Sequence, residues 1–206
     1  MLQLGSGAPR RSSWPALPPW SLRLPLTWPQ FAADHDASAA GDASALLTAA
    51  RAMQTPAGFA ASTTSTAISC GDAPATVPVT DWPAQIARFD EVGKLWGAVL
   101  GWWLWAPCAA GWPADAPGRF SGPWNARTDT PILLFSSRYD PATPYRNAQA
   151  AEQRLGNAVL VTMDGWGHPS YQIPSACMDA LRTRYLVDLA VPPRGTVCQP
   201  DEVPFG

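Results

Sequence analysis

The stretch TPILLFSSRYDPATPYRNAQAAEQRLGNAVLVTMDGWGHP, residues 130–169, decides the fold of this chain. It contains two short apolar runs, 131–137 and 158–164, and turn-forming residues border each of them. Continuous apolar runs of this length are typical of strands that are buried on both faces, as in a parallel sheet. We therefore predict one buried strand in each run.

The polar residues between and after these runs predict two helices. The first covers 144–155, with Thr143 as its N-cap and Gly156 as the residue that ends it. The second covers about 175–189 and ends before two prolines. The order strand–helix–strand–helix over 131–190 predicts an α/β unit whose parallel strands are joined by right-handed crossovers.

The earlier part of the chain predicts helices rather than strands. Residues 41–53 have apolar positions on one side of a short helix, with Asp42 or Ser44 as its cap. A longer helix is predicted from residue 80 or 81 to about 104, and Pro107 is expected to stop it. Residues before 31 are rich in proline and tryptophan and show little periodicity, so we expect them to be irregular.

Composition excludes some classes of partner. The chain has 206 residues, of which 47% are hydrophobic, and a net charge of −2. These values suit a globular domain and give no reason to expect nucleic acid as a partner. The most apolar segment, 95–106, has 12 residues, whereas a membrane span needs about 20. We predict no membrane span.

Four cysteines, at Cys70, Cys108, Cys177 and Cys198, leave two readings open. They form two disulfides in an oxidising compartment, or they are four free buried thiols. Among the three connectivities, closeness in sequence favours Cys70–Cys108 and Cys177–Cys198. No two cysteines have the C-x-x-C spacing and neither histidine is near them in sequence, so we predict no metal site and no cofactor.

The start of the sequence does not match an export signal. Arg10 and Arg11 are followed by an apolar stretch that prolines interrupt. Since oxidised cysteines require export, we expect that the natural N-terminus lies upstream of Met1.

Two polar residues follow the two predicted strands directly. Asp140 comes after the first strand and His168 after the second, and sites in open α/β sheets lie at the carboxyl ends of strands. The order of Asp then His matches the end of the Ser…Asp/Glu…His series of α/β-hydrolases. In that triad the imidazole takes the serine proton, and the carboxylate orients the imidazole. Taken singly, an Asp–Pro pair is most often a turn or a capping aspartate, and a histidine in a glycine-rich loop is most often a surface residue. The placement of both residues after successive strands favours the functional interpretation.

Several segments resemble the C-terminal region of the tripeptidyl-aminopeptidase-like α/β-hydrolases, which are serine peptidases of the prolyl-iminopeptidase clan. The segments that carry the resemblance most specifically are TPILLFSSRYDPATPY, LVTMDGWGHPSY, SACMDALRTRYL and PPRGTVC, and AISCGDAP and CAAGWP add to it. The resemblance implies that Asp140 is the triad acid and His168 the triad base. It also implies a secreted or cell-envelope enzyme that releases short peptides from the N-termini of its substrates.

The resemblance also implies a domain organisation. Residues 1–30 form an irregular Pro/Trp-rich lead-in, 31–127 form a mostly helical lid, and 128–206 form the C-terminal part of the α/β-hydrolase core, with two parallel strands and flanking helices. The tryptophans between Trp96 and Trp112 would then face the core or the substrate pocket, and ordinary packing is the alternative for most of them.

The sequence departs from this family in one respect that decides activity. No serine lies in the G-x-S-x-G elbow that carries the nucleophile, since the glycines around Ser6 have the wrong spacing. We therefore predict a C-terminal fragment of a serine hydrolase that is inactive alone, with a peptide as the substrate of the full-length parent. Two alternatives remain: a non-catalytic module that binds a peptide or a partner, and one half of a split hydrolase that the missing N-terminal half completes.

A sheet of two parallel strands also raises a question of stability. The strand at 131–136 has one edge with no predicted neighbour, and a small sheet with an open edge is marginal in water. We expect the isolated chain to be marginally stable or to aggregate.

Overall fold

The structure, a computed structural model, describes residues 22–53, 55–72, 77–94, 97–109, 118–125, 127–168 and 170–206. The described residues divide into two compact units, one within 34–120 and the other within 22–33 and 121–206.

The first unit is mainly helical where it is described, as the sequence predicted for this part of the chain. Its elements, with a first helix that begins in the other unit, are α1 (Trp28–Ala39), α2 (Ser44–Met53), α3 (Pro56–Asp72), α4 (Trp82–Val92), α5 (Gly97–Leu100), a π-helical turn (Gly101–Trp105) and α6 (Ala106–Ala109). A disulfide between Cys70 and Cys108 ties the end of α3 to α6. None of the helices in the described ranges is both long enough and apolar enough to cross a bilayer.

The single helix that we predicted from residue 80 or 81 to about 104 is wrong, because α4 ends at Val92. Glycines explain the break: a side chain at Gly97 would overlap the backbone of Phe89, and one at Gly101 would crowd the side chains of Ile86 and Phe89. The absence of side chains at these positions lets the following segment pack closely against α4. Residues 95 and 96 of the predicted helix lie outside the described residues.

Two further expectations for this part of the chain are corrected. Pro107 does not stop the helix but lies within α6. The preceding turn is π-helical, with the amide of Ala106 bonded to the carbonyl of Gly101, so the hydrogen-bond pattern is already shifted where the proline removes a donor. The irregular lead-in ends earlier than expected, because a 3₁₀ turn at Pro25–Thr27 leads directly into α1.

The second unit contains a parallel sheet with helices that follow its strands. Its elements are β1 (Ile132–Tyr139), α7 (Tyr145–Leu155), β2 (Ala158–Trp166), a 3₁₀ turn (Ser170–Gln172), α8 (Ala176–Asp188) and β3 (Val197–Cys198). The strand order is β1-β2-β3, and both pairings are parallel. The two predicted strands and both predicted helices are confirmed, and the two-residue strand β3 was not predicted.

The core of this unit lies against one face of β2. The strand is almost entirely buried, as its continuous apolar run predicts. The core cluster consists of Val161, Met163, Ile173, Met178, Leu181 and Cys198, and Leu133 and Phe135 of β1 pack against it. The strand β1 is less buried than β2 over its apolar residues, which is the pattern of an edge strand.

Helix boundaries were predicted at the start of α8 and at both ends of α7. The hydroxyl of Ser175 accepts a hydrogen bond from the amide of Met178 at 3.3 Å and donates one to the carbonyl of Gln199 at 2.7 Å. The predicted start of this helix is thereby confirmed. Gly156 ends α7 with φ of 70°, also as predicted. The predicted cap at Thr143 is wrong, because no side chain caps α7.

The second disulfide, between Cys177 and Cys198, joins the first turn of α8 to β3, with its Cα atoms 5.7 Å apart. Both favoured cysteine pairs are therefore present in the structure. The double variant Cys177→Ala/Cys198→Ala is expected to unfold more easily by roughly 3 kcal/mol, because a loop with a sequence separation of 21 is released in the unfolded chain. Urea unfolding followed by far-UV circular dichroism measures the loss, and an unchanged midpoint would contradict it.

Candidate active site

The structure brings Asp140 and His168 into direct contact at the carboxyl ends of β1 and β2. Asp140 follows the last residue of β1, and His168 lies two residues beyond β2. The Nδ1 atom of His168 is 2.7 Å from the Oδ2 atom of Asp140. The carboxylate is 3% exposed and the imidazole 24% exposed. The two residues that the sequence singled out are therefore paired. The carboxylate of Asp140 is buried, and the imidazole of His168 beside it is partly accessible.

Four hydrogen bonds hold the carboxylate of Asp140. Its Oδ1 atom accepts from the amides of Ala142 at 2.7 Å and Thr143 at 2.8 Å. Its Oδ2 atom accepts from the Thr143 hydroxyl at 2.7 Å and lies against His168. Burial alone would raise the pKa of Asp140, but the bonds from Thr143, His168 and Ala142 together hold that pKa below its ordinary value. The acid is therefore ionised at neutral pH.

An ionised carboxylate fixes which nitrogen of His168 carries the proton. A carboxylate oxygen only accepts hydrogen bonds, so Nδ1 must donate at the observed 2.7 Å. In the neutral ring, Nε2 then has a free lone pair. No other described residue hydrogen-bonds to Nε2. This is the arrangement of a general base whose orienting acid is already in place.

A depression of about 220 Å³ adjoins this pair. It is lined by Phe135, Ser136, Asp140, Thr143, His168, Ser170 and Arg182. The volume is sufficient for a small polar group such as a serine side chain together with the carbonyl that it attacks. His168 is the titratable base among these lining residues.

Residues 23–25 support the loop that carries His168. Sequence reasoning missed this support. The amide of His168 donates to the carbonyl of Arg23 at 2.7 Å. Gly167, with φ of 95°, packs so closely that a Cβ atom there would lie 2.5 Å from Pro25 and 2.6 Å from the Arg23 carbonyl. The positive φ and the close contact together explain why residue 167 is a glycine. The local sequence does not signal the contact, because residues 23–25 are distant in the chain.

The variant Gly167→Ala is expected to destabilise this loop strongly. The added methyl group clashes with Pro25 and with the Arg23 carbonyl, in addition to the strain of positive φ. The matched control is Gly195→Ala, because Gly195 has φ of 81° and open space around its Cα. We expect the Gly167 variant to lose about 1–3 kcal/mol more than the control, measured by thermal unfolding. Equal losses would show that the contact with residues 23–25 is unimportant.

Side chains on both strands brace the same edge of the sheet. Arg138 and Asp164 form an ion pair at 2.5 Å, and the bonds from Arg138 and Gln199 lower the pKa of Asp164. The rings of Tyr139 and Trp166 stack with centroids 6.2 Å apart, and Trp28 meets Trp166 edge-on at 6.5 Å. The strand residues that precede Asp140 and His168 are thereby held together across the two strands.

The sequence profile of the TAP-like protein family matches residues 93–198, about half of the chain. That range includes β1, β2, Asp140 and His168. The chain belongs to the TAP-like protein family of α/β-hydrolases. Its fold, a parallel sheet with flanking helices after a helical N-terminal part, agrees with the fold class that the sequence predicted.

Curated relatives of this TAP-like chain carry hydrolase names. It is 33% identical over 146 residues to the serine protease Hip1 of Mycobacterium tuberculosis, an alignment that covers 64% of the chain and 25% of the relative. It is 30% identical over 143 residues to carboxylesterase B of the same species, covering 65% and 26%. It is 28% identical over 145 residues to the tripeptidyl aminopeptidase of Streptomyces coelicolor, covering 68% and 25%. The chain therefore spans about a quarter of the length of the relatives that it matches.

The tryptophan-rich segment of the TAP-like chain is described only in part. The side chains of Trp102 and Trp105 are 52% and 39% exposed. Trp96 and Trp112, which were predicted to face the core or a substrate pocket, lie outside the described residues. Neither described side chain belongs to the buried core.

Among the described residues, no group of His, Cys, Asp and Glu side chains has the geometry of a metal site. The arrangement of His168 and Asp140 is suited to proton transfer, with the imidazole as the exchanging group and the carboxylate as its support.

Proposed function

We propose that this chain supplies the acid and the base of a Ser-His-Asp triad in a TAP-like serine hydrolase, and that polypeptide outside this chain supplies the nucleophile. The observation that carries the proposal is the buried Asp140 carboxylate bonded to Nδ1 of His168, with Nε2 unoccupied beside a depression. An imidazole that is oriented on one side and open on the other is what a serine nucleophile requires.

The chemistry follows from the geometry in two steps. Nε2 of His168 takes the proton of the serine hydroxyl as the oxygen attacks the substrate carbonyl, and Asp140 stabilises the imidazolium that forms. The imidazolium then gives its proton to the leaving group, and an acyl-enzyme remains. Water attacks the acyl-enzyme by the same route in reverse, which releases the acid product and restores the serine and the neutral imidazole.

Two observations support a nucleophile that lies outside this chain. The sequence contains no G-x-S-x-G elbow. The serines that line the depression, Ser136 and Ser170, make no hydrogen bond to His168 within the described residues. A hydroxyl that the base does not contact remains a weak nucleophile.

The open edge of β1 supports the same proposal. The amide of Ile132 donates to Asn157 at the start of β2, so by alternation the backbone groups of Leu133, Phe135 and Ser137 face away from β2. Within the described ranges the sheet has no strand beyond β1. The hydroxyl of Ser137 is buried and has no partner among the described residues. An added strand would satisfy these backbone groups and cover the half-buried apolar side chains of β1.

The names of the relatives point to a class of substrate. They include a tripeptidyl aminopeptidase and a serine protease as well as a carboxylesterase, so the shared chemistry is acyl transfer at an ester or amide carbonyl. We propose peptides with a free N-terminus as the substrate, 31–127 as the lid, and 128–206 as part of the core. The two disulfides favour a secreted or cell-envelope location.

A chimera tests the function directly. This chain replaces the aligned portion of the Streptomyces coelicolor tripeptidyl aminopeptidase, so that the relative contributes the rest of the hydrolase. We expect hydrolysis of a tripeptide p-nitroanilide that depends on His168. A chimera that cleaves only p-nitrophenyl acetate would favour an esterase, and a folded chimera that cleaves neither substrate would favour a non-catalytic module.

The open edge of β1 also favours a second form of the same function, in which a separate polypeptide completes the hydrolase. Co-expression of the two parts as separate chains distinguishes the forms. Activity from separate chains would support a split hydrolase, and activity from the fused chimera alone would support a single polypeptide.

A further inference from the structure

We propose that Thr143 is a positioning residue that holds the Asp140 carboxylate and the His168 ring in the one arrangement that leaves Nε2 free to accept a proton. The inference rests on the proposed function, because the orientation of Nε2 matters only if His168 acts as a base. The sequence pattern Thr143–Pro144 predicts a helix cap, but the side chain of Thr143 faces the acid and the base instead.

Thr143 makes three contacts with this pair. Its amide donates to Oδ1 of Asp140 at 2.8 Å, and its hydroxyl donates to Oδ2 at 2.7 Å. The same hydroxyl oxygen lies 3.2 Å from Nδ1 of His168. Among the described residues, Thr143 is the one residue whose side chain hydrogen-bonds to both members. Because it binds both carboxylate oxygens, it opposes rotation of the carboxylate.

Counting protons shows how Thr143 also acts on the ring. The hydroxyl has a single proton, and it is donated to the carboxylate. The oxygen can therefore offer only a lone pair to Nδ1. Nδ1 then faces two accepting oxygens, one from Asp140 and one from Thr143. In the alternative form of the ring Nδ1 would carry a lone pair, and both oxygens would repel it. The two contacts together therefore favour the Nδ1–H form.

The loop holds this threonine stiffly in place. Pro141 lies two residues before it and Pro144 lies one residue after it, and each proline fixes its own φ. A β-branched side chain also has restricted χ1 rotamers. Thr143 is solvent-exposed, so a water molecule can replace its hydroxyl if the side chain is shortened to alanine. The methyl group of a valine would occupy that space and exclude the water.

The full chain is suited to a spectroscopic test, because it has only two histidines, His35 and His168. Nitrogen-15 NMR of the imidazoles distinguishes the two neutral forms, and His35→Gln assigns the signals. We expect His168 in the Nδ1–H form, with a low-field Nδ1 proton, in the wild type and in Thr143→Ser. In Thr143→Val we expect loss of the low-field proton and a gain of the Nε2–H form.

The matched control is Thr48→Val, which removes a hydroxyl bonded to a helix carbonyl and should leave the His168 signals unchanged. Unchanged His168 signals in folded Thr143→Val, or an Nε2–H form in the wild type, would overturn the inference. If the valine variant does not fold, Thr143→Ala provides the test. We expect faster solvent exchange of the Nδ1 proton in that variant. An unchanged exchange rate would overturn the inference. These spectra need no turnover, so an inactive chimera would count against the proposed function alone.

Discussion

Replacing His168 by alanine in the active chimera is expected to lower kcat by about 10⁶-fold. In the proposed mechanism the ring is the base that activates the serine, and the other ionisable side chains among the described residues that line the depression are Asp140, which supports the ring, and Arg182. Nδ1 of the ring is bonded to Asp140, and Nε2 has no partner among the described residues. Once the ring is removed, no described residue is in position to accept the serine proton. Steady-state hydrolysis of the tripeptide p-nitroanilide measures the loss.

The other histidine provides the control for this experiment. His35 lies in α1, in the helical unit, and His35→Ala is expected to retain kcat within a few-fold. The proposal that His168 is the base fails if His168→Ala retains more than about 1% of the activity of a folded chimera, because general-base catalysis alone contributes 10²–10⁴-fold.

The second large effect is expected for Asp140→Asn. The amide has nearly the shape of the carboxylate, but its NH₂ group can donate to Nδ1 and so favour the wrong form of the ring. We expect kcat to fall by about 10⁴-fold, with little change in KM. The matched control is Asp164→Asn, because Asp164 is an exposed acid near the end of β2 that pairs with Arg138. Activity that falls equally in both variants would contradict the assignment of Asp140 as the acid.

The same substitution has a consequence for stability as a function of pH. The hydrogen bonds to Asp140 place its folded-state pKa below the ordinary value of 3.8. A group with a depressed pKa stabilises the fold above its unfolded pKa and loses this contribution as pH falls toward the folded pKa. The stability difference between wild type and Asp140→Asn should therefore be full near neutral pH and shrink below about pH 4. Urea unfolding at a series of pH values measures that difference.

The sheet and the acid–base pair could be predicted because each has a local signal in the sequence. Strands buried on both faces are continuous apolar runs, which 131–137 and 158–164 show plainly. Parallel strands align their carboxyl ends, so residues that follow two neighbouring strands meet at one edge. The contact between Asp140 and His168 follows from these two rules.

Other features could not be predicted because their cause lies far away in the chain or has two local meanings. The Arg23 carbonyl accepts a hydrogen bond from the His168 amide, which lies 145 positions later in the chain, and nothing near Arg23 signals it. Thr143 precedes a proline at a helix start, a pattern that usually indicates a cap, and only the fold shows that its hydroxyl faces Asp140. The break after Val92 had a usable signal, because Gly93, Gly97 and Gly101 recur at intervals of four residues, a spacing that allows close helix packing.

The central claim is that the acid and the base lie in this chain and the nucleophile does not. Treatment of the purified chain with a fluorophosphonate, followed by intact-mass spectrometry, tests it most directly, with the active chimera as the positive control. The claim predicts an unmodified mass for the chain and one adduct on the chimera. One adduct per molecule of the isolated chain, mapped to Ser136 or Ser170, would contradict it.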